Sequence, residues 1–229
     1  MKKTLFILTV LFTSLLNAQE QKQIPQINVS GEGKIRVVPD KAVINFGINN
    51  VGKDATEVKK LNDETVDKVI KFIKKFGIPT TDYQTTNVSL NRNYDYEKKK
   101  YNYQATQSIS ITLKDLSKYD SLMMGLVDNG INNISNVEFQ SSKIEEHKSA
   151  ARKEAMKEAK RKAEDYVSVL GQKVGKALLI SDNSTVNYPR PMYEMNMKAM
   201  AANVADQQQT LAVGEIEVIA NVTVSFYLD

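Results

Sequence analysis

The chain has 229 residues, no cysteine, no tryptophan and one histidine, which excludes disulfide frameworks, thiolate metal centres and histidine-rich zinc sites. Its formal net charge of +4 drops by two charges once the first 18 residues, with Lys2 and Lys3, are set aside. The remaining charges are interspersed, which argues against a nucleic-acid partner.

At the N-terminus, MKKTLFILTVLFTSLLNA sets two lysines before an apolar run from Leu5 to Leu16 and a small residue, Ala18. That order predicts an export signal over residues 1–18, cleaved after Ala18, and a periplasmic or secreted product. The run is shorter than the ~20 apolar residues that cross a bilayer, so no transmembrane span is expected after cleavage. Residues 19–26 read as a linker and 27–229 as the main domain, with room for two subdomains. No disulfide is available, so core burial alone must hold the mature chain together.

From Ile27 to Val38, apolar residues alternate with polar ones, and Gly31 and Gly33 stand where two apolar residues belong. The pattern predicts a half-buried strand with either a bulge or a close backbone approach at the glycines. Pro39-Asp40 reads as a turn, and Ala42, Ile44, Phe46 and Ile48 as a return strand, so a first hairpin is expected. Asp54 and Glu57 then open a helix that Gly77 and Pro79 close. A second hairpin joins the strand Tyr83–Leu90 to the alternating YNYQATQSISITL, across a long charged loop, NRNYDYEKKK, that carries Tyr94 and Tyr96.

A second helix is expected over Leu116–Asp128 and a short strand over Ile134–Phe139. The third helix, about Lys143 to Leu170, repeats Ala151, Ala155, Ala159 and Ala163 every four residues. Small side chains at that spacing let a helix lie close on a sheet. Val174–Ile180 reads as a strand, and the alternating EIEVIANVTVSFYL closes the chain as a long strand expected to pair with the first hairpin. Helices covering one face of largely antiparallel sheets make the fold α+β: two hairpins plus a long C-terminal strand, packed by about three helices.

These elements, in this order, resemble the SIMPL domain family, which includes the bacterial periplasmic immunogenic protein and oxidative stress defence protein groups. The likeness is carried by VSGEGKIRVVPDKAVINFGI, FGIPTTDYQTTNVSL, YQATQSISITLKDLSKYDSLM, NNISNVEFQ, AARKEAMKEAKRKAEDYVSVLGQKVG and GEIEVIANVTVSFYL. Lysine and asparagine replace a more usual alanine-rich surface. The resemblance implies an exported α+β protein, linked in some relatives to envelope stress or self-assembly, and it brings no catalytic residues to carry over.

No catalytic constellation is legible. His147 sits beside Glu145 and Glu146 with no serine placed as its nucleophile, and reads as a solvated helical histidine. GEGKIR is not a phosphate-cradling loop, because its glycines lie within a strand. Segment 182–213 breaks every pattern above and interrupts two strands; it holds Met192, Met195, Met197 and Met200. Thioethers suit Cu(I), so these four are weak metal candidates. Methionine is also an adaptable contact residue, and MYEMNMKAMAANVA has the composition for peripheral membrane contact. Tyr94, Tyr96, Met192 and Met195 are the candidate partner contacts.

The expected function is that of a non-enzymatic envelope protein, without cofactor, that acts by homo-oligomerisation or by binding envelope proteins, with envelope or oxidative stress defence as the implied setting. The alternative is a periplasmic Cu(I)-binding or methionine-based oxidant-buffering module.

Overall fold

The computed structural model describes residues 24–97, 99–184 and 211–229. Its strands are β1 (Gln26–Val37), β2 (Lys41–Gly52), β3 (Tyr83–Asp95), β4 (Lys100–Leu113), β5 (Asn133–Gln140), β6 (Val174–Asp182) and β7 (Ile216–Leu228). Its helices are α1 (Ala55–Phe76), α2 (Tyr119–Asp128) and α3 (Ile144–Ser168). One antiparallel sheet has the order β1-β7-β6 and the other β3-β4-β2-β5. The expected α+β class is borne out.

The four-stranded sheet buries Ile44, Phe46, Ile48, Ile109 and Ile111 against Val66, Val69 and Ile73 of α1 and Leu122 and Leu126 of α2. α1 starts where Asp54 accepts hydrogen bonds from the N–H groups of Thr56 and Glu57, at 2.8 and 2.9 Å. It stops at Gly77, whose positive φ lets its N–H turn back onto the last carbonyls. Asn62 is buried within this core. Its amide donates to the carbonyl oxygens of Ile48, at 3.1 Å, and Ala105, at 3.4 Å, and so fixes the helix to two strands.

The three-stranded sheet is covered by α3 in another manner. Ala151, Ala155, Ala159 and Ala163 are all fully buried against Val29, Val218, Ala220, Val222 and Val224. A Cβ added at Gly31 would stand 2.0 Å from the carbonyl oxygen of Ala155, and one at Gly33 2.0 Å from that of Ala151. The helix backbone therefore rests on the strand backbone, which only glycine permits. Side chains of α3 then reach the open edge of β1: Glu158 accepts from the Glu32 N–H at 2.5 Å, and Lys162 donates to the Ser30 carbonyl at 3.0 Å. The Glu32 hydrogen bond, helped by Lys162, holds the Glu158 carboxyl below the usual range.

One expected pairing fails. β1 and β2 do not form a hairpin: β1 pairs with β7, and β2 lies between β4 and β5. The reason lies in what each strand can bury, since β1 presents the glycines that fit the alanine stripe, whereas β2 presents Ile44, Phe46 and Ile48 to α1 and α2. The residues taken for a turn instead hold the second crossing between the sheets. Asp40 donates its N–H to the Gln140 carbonyl at 3.2 Å, and its carboxylate accepts from the Ser142 N–H at 2.7 Å and from the Ser142 hydroxyl. The closing strand does pair with β1, in register from Gln26↔Tyr227 to Val37↔Ile216.

Gly31→Ala should destabilise the protein by about 3 kcal/mol, because a methyl group driven into helix backbone cannot be relieved by rotamer changes. Gly47→Ala, whose Cβ would meet nothing nearer than 3.6 Å, should cost less than about 1 kcal/mol. Urea unfolding of the two variants checks this, and equal losses would contradict the close approach. The Asp40 carboxyl is held below its ordinary value, first by the Ser142 hydroxyl and then by the Ser142 N–H. A lowered folded value means a stabilising contribution that is fully present above the unfolded value of about 3.9 and is lost as pH falls through the folded one. In Ser142→Ala the Asp40 titration followed by NMR should move upward, toward the ordinary range.

Candidate interaction surface

The β3–β4 hairpin is longer than its sequence suggests: pairing runs on to Tyr94↔Tyr101 and Asp95↔Lys100, so most of the expected loop is strand. Leu90, Arg92 and Tyr94 of β3 continue the face that α1 covers further back, opposite Ala105, Tyr103 and Tyr101 of β4. Lys99, with φ of 51°, helps close the tight turn, and the Glu97 N–H bonds to the Asp95 carboxylate at 3.1 Å.

At this tip the aromatic rings are organised before any partner arrives. Tyr94 stands edge-on to Tyr96 with centroids 5.1 Å apart and to Tyr101 at 5.0 Å. The Arg92 guanidinium lies 4.3 Å above the Tyr101 ring, and Asn93 bonds to Gln104 at 2.9 Å on the opposite face. Edge-to-face and cation–π contacts hold the rings in place, yet Tyr96 remains 84% exposed and Tyr101 53%. Such a cluster offers a large amphipathic area at low ordering cost, the property that makes tyrosine and arginine frequent interface anchors. A shallow groove lined by Thr56, Lys59, Lys60, Glu64 and Leu90 runs beside it.

The structure thus brings Tyr94 and Tyr96 together and adds Arg92 and Tyr101, which sequence reasoning passed over. The signal for them was the alternation of Leu90, Arg92 and Tyr94, which continues the β3 pattern through residues of low strand propensity. Met192, Met195, Met197 and Met200 lie outside the described residues. His147 is half-buried near the start of α3, and among the described residues no group of three or more His, Cys, Asp or Glu is placed to hold a metal.

A second surface also went unread. Register places Gln84, Ser110, Asn45 and Asn136 in one row across β3, β4, β2 and β5, flanked by Asn87, Ser108 and Asn133 and by Ser89, Thr106 and Asn49. These positions on the outer face carry uncharged hydroxyl and amide groups that donate and accept alike, and Lys41 and Glu138 lie further along the same face.

The SIMPL family model, described as a protein of unknown function (DUF541), matches residues 27–226. The chain belongs to the SIMPL family. Among similar SIMPL proteins are the "Uncharacterized protein YggE" of Escherichia coli (strain K12), 31% identical over 215 residues, covering 93% of this chain and 87% of that one. The "26 kDa periplasmic immunogenic protein" of Brucella melitensis is 27% identical over 220 residues, covering 91% and 88%. The human "Interleukin-1 receptor-associated kinase 1-binding protein 1" is 22% identical over 199 residues, covering 85% and 74%. Among the described residues no helix is long and apolar enough to cross a membrane.

Tyr94 is the hub of the tyrosine cluster, so Tyr94→Ala should free Tyr96 and Tyr101 and abolish most of the tyrosine near-ultraviolet circular dichroism from the tip. The cost in stability should be under about 1.5 kcal/mol, the value of exposed aromatic pairs. An unchanged spectrum would show that the rings are not held together in solution.

Proposed function

We propose that this SIMPL protein is exported and works in the bacterial envelope without catalysing a reaction, by self-assembly and by contact with other envelope proteins. The observation that carries the reading is the tyrosine cluster: Tyr94, Tyr96, Tyr101 and Arg92 are mutually fixed, exposed, and not used by either hydrophobic core. Side chains that serve only folding have no reason to be ordered so far from the core, whereas a contact surface gains affinity from that order. The setting is supported by the N-terminal lysines, apolar run and Ala18, and by the periplasmic naming of the Brucella relative. Envelope or oxidative stress defence is the context we assign to it.

The test is to recover the protein from a periplasmic extract, measure its mass and apply light scattering across concentration. The expected result is a chain that begins at Gln19, larger than a monomer or accompanied by an envelope protein that Tyr94→Ser/Tyr96→Ser no longer retains. A full-length chain confined to the cytoplasm, or a strict monomer that retains nothing, would overturn the proposal.

A further inference from the structure

The two sheets carry separate cores. Ile44, Phe46, Ile73 and Leu122 belong to one cluster, Val29, Ala155, Val222 and Val224 to the other, and the two clusters share no residue. Among the described residues, every extensive contact between elements also stays within one layer: α1 packs with β2, β3, β4 and α2, whereas α3 packs with β1, β6 and β7. Relative motion is the ordinary condition of two units that lack a large apolar interface.

The chain joins the layers at two short passages, residues 38–40 and 141–143. Little is packed there: Pro39 and Ser141 are buried, but Val38 is 66% exposed instead of filling a seam between the layers. What holds the passages together is polar. The Asp40 N–H donates to the Gln140 carbonyl at 3.2 Å, which carries the β2–β5 ladder one step past Lys41↔Gln140. The carboxylate of the same residue accepts from the Ser142 N–H at 2.7 Å and from the Ser142 hydroxyl, two residues before α3 begins. Asp40 is thus fixed to the four-stranded sheet through its backbone and to the entry of α3 through its side chain.

We propose that the two layers are rigid bodies joined by a hinge at these passages, and that the Asp40–Ser142 bridge is the latch that fixes the angle between them. A hinge needs only a few residues at element ends to absorb the change in φ and ψ, and both passages are of that length and position. A carboxylate that accepts two bonds from one residue sets direction as well as distance. Asp40 is exposed, so water can take over its bonds, and the latch opens without unpacking either core. The hinge does not depend on self-assembly. It governs how the tyrosine tip, carried by the four-stranded layer, is presented relative to α3.

The chain has no cysteine, so pairs of spin labels can be placed at will. Leu61→Cys on α1 with Tyr166→Cys on α3 puts one label in each layer, and Val88→Cys with Met124→Cys puts both in the four-stranded layer; all four positions are exposed. Pulsed double electron–electron resonance on labelled protein diluted with unlabelled chain reads distances within one molecule. The expected result is a narrow interlayer distance distribution that broadens and shifts in Asp40→Ala, and less so in Ser142→Ala, while the pair within one layer does not change. Hydrogen exchange along the β1–β7 and β2–β4 ladders should stay as in the parent protein, since both cores remain packed. An interlayer distribution that neither substitution alters overturns the latch. A change that comes only with lost protection in both ladders overturns the division into two rigid bodies.

Discussion

The backbone of α3 lies in direct contact with the backbone of β1, and this contact sets the rest of the three-stranded sheet. Carbonyl oxygens of Ala151 and Ala155 occupy the space where side chains at Gly33 and Gly31 would begin. At that distance the helix can carry nothing larger than alanine along four positions, so the layer between helix and sheet is thin and filled largely by small residues and valines. Packing of this kind gains dispersion from many short contacts and tolerates no added methyl group. It also brings Glu158 and Lys162 within reach of the strand edge, which longer side chains beneath the helix would have prevented.

Large apolar residues are instead concentrated in the four-stranded sheet, where Phe46, Ile44, Ile48 and Ile73 are completely buried. The chain passes between the sheets twice, through residues 38–40 and 141–143, and the two passages are tied by Asp40 and Ser142. What remains outside both cores is distributed unevenly. A row of amide and hydroxyl groups on the outer face of the four-stranded sheet and an ordered tyrosine tip both lie outside the two cores.

Much of this was legible in the sequence where a local pattern had one physical solution. Four alanines at a four-residue spacing ask for a closely packed sheet, and two glycines in an alternating strand fit either a bulge or a close backbone neighbour; the structure makes each the other's partner. Asp54 with Gly77 marked both ends of α1. The pairing of β1 was read wrongly because Pro39-Asp40 satisfies the local chemistry of a turn. Its true role depends on Gln140 and Ser142, about a hundred residues away. Asn91 and Asn93 have low strand propensity, which hid the full length of β3, and only cross-strand register lines up the amide and hydroxyl row of the outer face. The tyrosine tip was therefore half seen: Tyr94 and Tyr96 are close in sequence, whereas Arg92 and Tyr101 join them through pairing.

The claim on which the account rests is that α3 seals the edge of β1, and hydrogen exchange at the Glu32 amide tests it most directly. An N–H on the open side of an edge strand exchanges rapidly, but here it donates to the Glu158 carboxylate, which reaches over the strand edge from α3. The account predicts protection at Glu32 comparable to amides within the β1–β7 ladder, and its loss in Glu158→Ala. Exchange at the rate of an unprotected edge amide in the wild-type protein would contradict the close packing of helix on strand.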